Sequence, residues 1–101
     1  MEIEEIRALA RKGKYHYSDH AKDRLFLREI PERNILRTIL EGEVLETSED
    51  DIRGKAYLLL GKGPIHALVG YNKYQNKVIV ITIYIPEPPK WITHRKRGSL
   101  Q

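Results

Sequence analysis

The stretch KVIVITIYI (Lys77–Ile85) alternates two kinds of side chain. Ile79, Ile81, Ile83 and Ile85 make one unbroken apolar face, while Val78 and Val80 give way on the other to Thr82 and Tyr84. Alternation of β-branched residues with a period of two predicts a strand with one face in a core. Two comparable runs precede it. KAYLLLG (Lys55–Gly61) sets Tyr57 and Leu59 against Ala56, Leu58 and Leu60, and PIHALVG (Pro64–Gly70) sets His66 and Leu68 against Ile65, Ala67 and Val69. The connectors KGP and YNKYQN are of turn length, so neighbouring strands should pair antiparallel. EVLET (Glu43–Thr47) reads as a fourth, shorter strand, followed by an acidic solvated turn, SEDDIRG. Matching registers would gather Tyr57, His66, Thr82 and Tyr84 on one side of the sheet, opposite the isoleucines.

Upstream of Gly42 the period is helical. IEEIRALARKG places Ile3, Ile6, Leu9 and Ala10 on one side, with Gly13 as a stop. YSDHAKDRLFLRE (Tyr17–Glu29) offers Ser18 as an N-cap and Asp19 in the first turn, with Ala21, Leu25 and Phe26 as its apolar side. IPERNILRTILEG begins with Pro31 as a first helical residue and repeats Ile35, Leu36, Ile39 and Leu40 up to Gly42. The expected fold is α+β, with N-terminal helices packed on a four-stranded antiparallel sheet. One domain should fill the 101 residues, with a core over about 2–92 and a basic, flexible tail over 93–101.

Composition narrows the function. There is no cysteine, so neither disulfides nor thiolate metal sites are available. The four histidines lack a compact ligand spacing beyond His16 and His20, so no metal and no cofactor is expected. No apolar run approaches a membrane span, and the N-terminus has no hydrophobic signal core, which predicts a cytoplasmic protein without a membrane partner. The net charge of +4 conceals an asymmetry. Residues 1–50 hold nine Lys/Arg against twelve Asp/Glu, whereas residues 51–101 hold nine against two. A basic half suits a polyanion such as RNA.

His20, Arg24 and Arg28 lie four residues apart, on one helical face. An imidazole beside two guanidiniums can protonate and grip a phosphate. RNA cleavage without metal needs a base for the ribose 2′-hydroxyl, an acid for the leaving oxygen and cations at the phosphorane. His20 and His66 are the acid/base candidates, with Arg24 at the phosphorane and Arg28 on a neighbouring phosphate. Tyr57, Thr82 and Tyr84 are candidates for substrate binding. Each also has an ordinary role: strand tyrosines pack, strand histidines are commonly half-buried, and helical basic stripes are commonly solvated or paired. Trp91 reads as a packing anchor for the tail rather than a base-stacking platform.

The motifs YSDHAKDRLFLREI, ILRTILEGEVLE, PIHALVGYN and VITIYIPEPPKW resemble a family of small bacterial and archaeal domains of unknown function. Its marks are S-x-H-A-x-x-R-x-x-x-R-x-I and a later T-x-Y-x-P…W, and the resemblance spans about residues 15–92. Such domains are generally grouped with RelE-like toxins of toxin–antitoxin modules. The resemblance therefore implies a RelE-like fold and a metal-independent endoribonuclease that leaves 2′,3′-cyclic phosphate ends. Its partner would be a small antitoxin, often of a CxxC zinc-finger type. His20, Arg24, Arg28, His66, Thr82, Tyr84 and Trp91 match the family's marked positions. The alternative is a non-catalytic module of the same fold that binds nucleic acid or a partner protein. A small-molecule enzyme would instead show a deep closed pocket.

Overall fold

The computed structural model describes residues 1–27, 30–50, 54–88, 90–91 and 93–98. Three helices, α1 (Ile3–Arg11), α2 (Asp19–Phe26) and α3 (Glu32–Glu41), alternate with and precede five strands. These are β1 (Tyr15–Tyr17), β2 (Glu43–Asp50), β3 (Gly54–Gly61), β4 (Ile65–Asn72) and β5 (Lys77–Tyr84). They form one sheet in the order β1-β5-β4-β3-β2. The class is α+β, as the change of period at Gly42 implies.

The sheet is mixed rather than purely antiparallel, because β1 runs parallel to β5, with Tyr15 opposite Val78 and Tyr17 opposite Val80. Three residues are too few to display a period, and their partners lie some sixty positions away, so local sequence carries no sign of this strand. β2 continues through the acidic stretch expected to be a turn, pairing Thr47 with Tyr57, Ser48 with Ala56 and Glu49 with Lys55. It is an edge strand. Charges that would be costly in a central strand are tolerated at an edge, where they also discourage pairing with other chains.

One face of the sheet carries the core. Ile6, Ala10, Ile35 and Ile39 from α1 and α3 pack on Leu59, Ala67, Val69, Val78, Val80 and Ile83. Each large aliphatic side chain buried in this way contributes about 1.5–3 kcal/mol. Gly61 lets α3 come close, since a Cβ there would stand 1.8 Å from the Thr38 hydroxyl oxygen.

The isoleucine wall does not form. Leu68 faces Thr82 and Val69 faces Val80, so Ile81 is an extra residue in β5. Such a bulge exchanges the two faces along the strand. Val78 and Val80 before it and Ile83 after it are buried in the core, while Ile85 is 44% exposed. Tyr57 also lies on the opposite face from the one expected. It pairs with Val69, not with the His66 position, and so lies on the helix-covered face, where its hydroxyl donates to the Met1 carbonyl at 2.9 Å.

α2 begins where β1 ends. The Ser18 amide donates to the Val80 carbonyl at 3.0 Å, which closes the β1–β5 ladder. Its side-chain oxygen caps the helix by accepting from the Ala21 amide at 3.1 Å and donates to the Ile81 carbonyl at 2.6 Å. Ala21 is buried and Leu25 packs against the core, but Phe26, expected on the same side, is 84% exposed. Arg28 lies outside the described residues.

Residues 93–98 lie over the other sheet face. Trp91 is 2% exposed and bridges to Arg97, confirming it as an anchor. Arg95 and Arg97 pair with Glu43 and Glu46 of β2, at 2.7 and 2.6 Å. Among the described residues, no helix is long and apolar enough to cross a membrane.

α3 has no basic residue in its last turn, and Arg7 of α1 supplies one from outside. Its guanidinium donates to the Ile39 and Gly42 carbonyls at 3.0 and 2.5 Å. Charge-assisted bonds to a helix C-terminus both satisfy its carbonyls and complement its dipole. Arg7→Met keeps the aliphatic stem and loses both bonds, so urea unfolding should show a loss of about 1.5–3 kcal/mol.

Candidate functional site

On the sheet face opposite the core, a cleft of about 560 Å³ opens between α2, β5, β2 and the C-terminal segment. The capped start of α2 and its four-residue repeat bring His20 and Arg24 to one wall. The bulge at Ile81 turns Thr82 and Tyr84 outward to form the floor. Glu46 and Ser48 reach in from β2, and Lys90, Trp91 and Arg97 come from the returning C-terminal segment. His20 is exposed, and Arg24, Thr82 and Tyr84 are half-buried. Residues separated by more than seventy positions thus share one open groove.

His66 does not line the groove. It is wholly buried beneath Tyr84 and Trp91. Its ring stands edge-on to both, with centroids 5.1 Å from Tyr84 and 4.3 Å from Trp91. Its Nε2 lies 2.6 Å from the His94 carbonyl oxygen. A carbonyl can only accept, so Nε2 carries the hydrogen and Nδ1 of the neutral ring is an acceptor. The Tyr84 hydroxyl, 3.1 Å from Nδ1, therefore donates to it, and itself accepts from Trp91 Nε1–H at 3.1 Å. The result is a directed chain from indole to phenol to imidazole to backbone.

Burial sets the electrostatics of this chain. Removal from water pushes His66 below the usual histidine value, against the opposing pull of the His94 carbonyl and Glu46. Burial likewise pushes the Tyr84 phenol up, opposed by the Trp91 hydrogen bond. Arg97 stacks 4.6 Å over Trp91 and grips Glu46 through two bonds, of 2.6 and 2.8 Å. That pairing holds the Glu46 carboxyl below its ordinary range. The Lys90 ammonium sits 5.8 Å from the Tyr84 ring centre.

Of the residues singled out in the sequence, His20, Arg24, Thr82 and Tyr84 come together in the cleft. His66 stands behind them, and Tyr57 is on the far side of the sheet. Glu46, Ser48, Lys90 and Arg97 were not foreseen. The first two sit in a stretch that reads as a short strand and a turn, and Arg97 in a basic run that reads as mobile. The signal that could have linked them is charge complementarity between the acidic 41–51 segment and the basic 95–97 run.

A second hollow of about 490 Å³ lies between the end of α3 and the β3–β4 turn. It gathers Arg37, Lys62 and His94 but none of the α2 stripe and no strand hydroxyl. No cluster of three or more potential metal ligands occurs among the described residues.

A family model described as a domain of unknown function (DUF4258) matches residues 17–85. No curated protein and no solved structure matches the chain.

His66 makes stability depend on pH in a definite direction. Its folded-state proton affinity is depressed below the ordinary 6.5, so the unfolded chain takes up a proton that the folded one refuses. Its contribution is present above that value and is lost as pH falls below it. Urea midpoints measured from about pH 7 to about pH 5 should drop more steeply for the wild type than for His66→Gln. His16, which burial also lowers, is common to both proteins and cancels in the comparison.

Proposed function

The chain belongs to the DUF4258 family, and on that footing we propose that its cleft is the active site of a metal-independent endoribonuclease. The observation that carries this reading is the joining of His20 and Arg24, one helical turn apart, with the hydroxyls of Thr82 and Tyr84 in one open groove. The groove suits an extended strand better than a small molecule, because it is bounded by separate elements and lies open to solvent. In this reading the ribose 2′-oxygen attacks the adjacent phosphorus and the 5′-oxygen leaves. The products are a 2′,3′-cyclic phosphate and a 5′-hydroxyl end. His20, as imidazolium, protonates the leaving oxygen, and Arg24 offsets the charge that builds on the phosphorane. Lys90 and Arg97 hold flanking phosphates, and Thr82 positions the ribose.

Domains marked by S-x-H-A-x-x-R and T-x-Y-x-P…W are generally grouped with RelE-like toxins, and that grouping supports a place in a toxin–antitoxin module. The natural inhibitor would then be a small antitoxin protein acting in the cytoplasm. One observation favours the second reading, a binding module without turnover: His66 is out of reach of any ligand, which removes one of the two imidazoles expected in the groove.

Labelled single-stranded RNA incubated with the protein in EDTA decides between them. Cleavage to cyclic-phosphate ends is expected, with kcat reduced about 10²–10⁴-fold in His20→Ala while RNA affinity changes little. If the wild type binds RNA and leaves it intact, the binding module takes its place. Lys90→Ala should lower the slope of log affinity against log salt by about 0.7, the value for one phosphate contact on a single strand.

A further inference from the structure

Every hydrogen in the buried chain has a fixed direction, and that direction suggests more than packing. The Tyr84 hydroxyl gives its hydrogen to His66 Nδ1 and receives one from Trp91 Nε1. Its oxygen retains a second lone pair, and the residue lines the cleft. A ribose hydroxyl that donates to this oxygen would be two coupled proton transfers from an imidazole it never touches. We infer that Tyr84 and His66 form a proton relay in which Tyr84 meets the nucleophilic hydroxyl and the buried His66 stores its proton. The inference rests on the ribonuclease reading and supplies the base that His66's burial otherwise leaves without an assignment.

The ribose O–H bond breaks and its proton passes to Tyr84 Oη, while the Tyr84 O–H bond breaks and that proton passes to His66 Nδ1. The ribose oxygen's electron pair forms the new bond to phosphorus, and the P–O5′ bond pair leaves with the 5′-oxygen, which takes a proton from His20. Tyr84 ends as it began, and His66 becomes imidazolium. Because the phenol is refilled as it is emptied, its raised proton affinity is no obstacle. The net transfer is from a ribose hydroxyl to an imidazole, the ordinary work of a histidine base.

Burial as a whole disfavours a charge on His66, yet a stored proton finds hydrogen-bond partners there. In the imidazolium, Nε2–H still donates to the His94 carbonyl, and Nδ1–H turns its hydrogen back to Tyr84 Oη, so no group is orphaned. Glu46 from β2 favours the charged ring. Arg97 and His94 of the C-terminal segment oppose it, and Arg97 is itself paired to Glu46. Lys90, from the same segment, lies over Tyr84 of β5. Burial keeps His66 without its second proton at neutral pH, so it is ready to accept one.

His66 acts through Tyr84 and is a positioning and storage group, so its test must read protons rather than fold. In the wild type, the acid limb of kcat/KM should rise with pH until His66 has lost its second proton. His66→Gln offers one acceptor towards Tyr84 and one donor towards the His94 carbonyl, but cannot hold an added proton. It should lower kcat by about 10²–10⁴-fold, leave KM little changed and remove the rising limb. Tyr84→Phe, which deletes one atom and keeps the ring, should do the same even if the His66 variant folds poorly. The double variant should be no slower than either single one, as for residues acting in series. Variants within about threefold of the wild type, or a double variant whose losses multiply, would overturn the relay and leave the ribonuclease standing. A wild type that cuts no RNA removes both. Nitrogen-15 chemical shifts of His66 give a readout that needs no RNA: an Nε2–H tautomer is expected, and an Nδ1–H tautomer refutes the chain.

Discussion

Ser18 gives its hydroxyl hydrogen to the carbonyl of Ile81, the one residue by which β5 exceeds its partner, and the rest of the molecule is arranged around that junction. A bulge leaves a carbonyl without a ladder partner, and the capping serine of α2 provides one. The same oxygen accepts from Ala21 and so starts the helix at this point. Two consequences follow from one contact. β5 can turn Val78, Val80 and Ile83 to the core and Thr82 and Tyr84 to the groove. α2 is held beside those two residues, with His20 and Arg24 facing the same space.

The sequence made the helices, the three long strands and the α2 stripe legible, because each rests on a local period or a cap. Ser18 caps α2 through its hydroxyl, and Gly13 follows α1 at a positive φ that suits a residue without a side chain. What could not be read was non-local. β1 is three residues long and finds its partner in β5, and the bulge is visible only when Leu68 is set against Thr82. Strict alternation therefore assigned Ile79, Ile81, Ile83 and Ile85 to one face. The same assumption of register placed Tyr57 beside His66, two strand faces that are in fact opposed. Most of the groove's helical wall was readable, and its β2 side and its roof were not. Those depend on Glu43 and Glu46 meeting Arg95 and Arg97 across some fifty residues.

His66 shares the sheet face of Thr82 and Tyr84, as expected, but lies beneath the surface of the groove. Its place in an apolar strand, on the same expected face as strand hydroxyls, made it an acid/base candidate. The structure puts the imidazole behind the tyrosine, with both nitrogens occupied. The indole that closes over it is both lid and donor. Trp91 excludes water from His66 and fixes the Tyr84 oxygen at once, which is why a packing residue and a polar network coincide.

The returning segment also orders the events of synthesis. Chains grow from the N-terminus, and His20 and Arg24 are made long before Tyr84, Trp91 and Arg97. Until residue 97 has emerged and met Glu46, the groove lacks its roof, and until Ile81 has emerged Ser18 has no carbonyl to hold. A nascent chain bears its imidazole and guanidinium on a helix that faces nothing. The groove is complete only once the returning segment has been made.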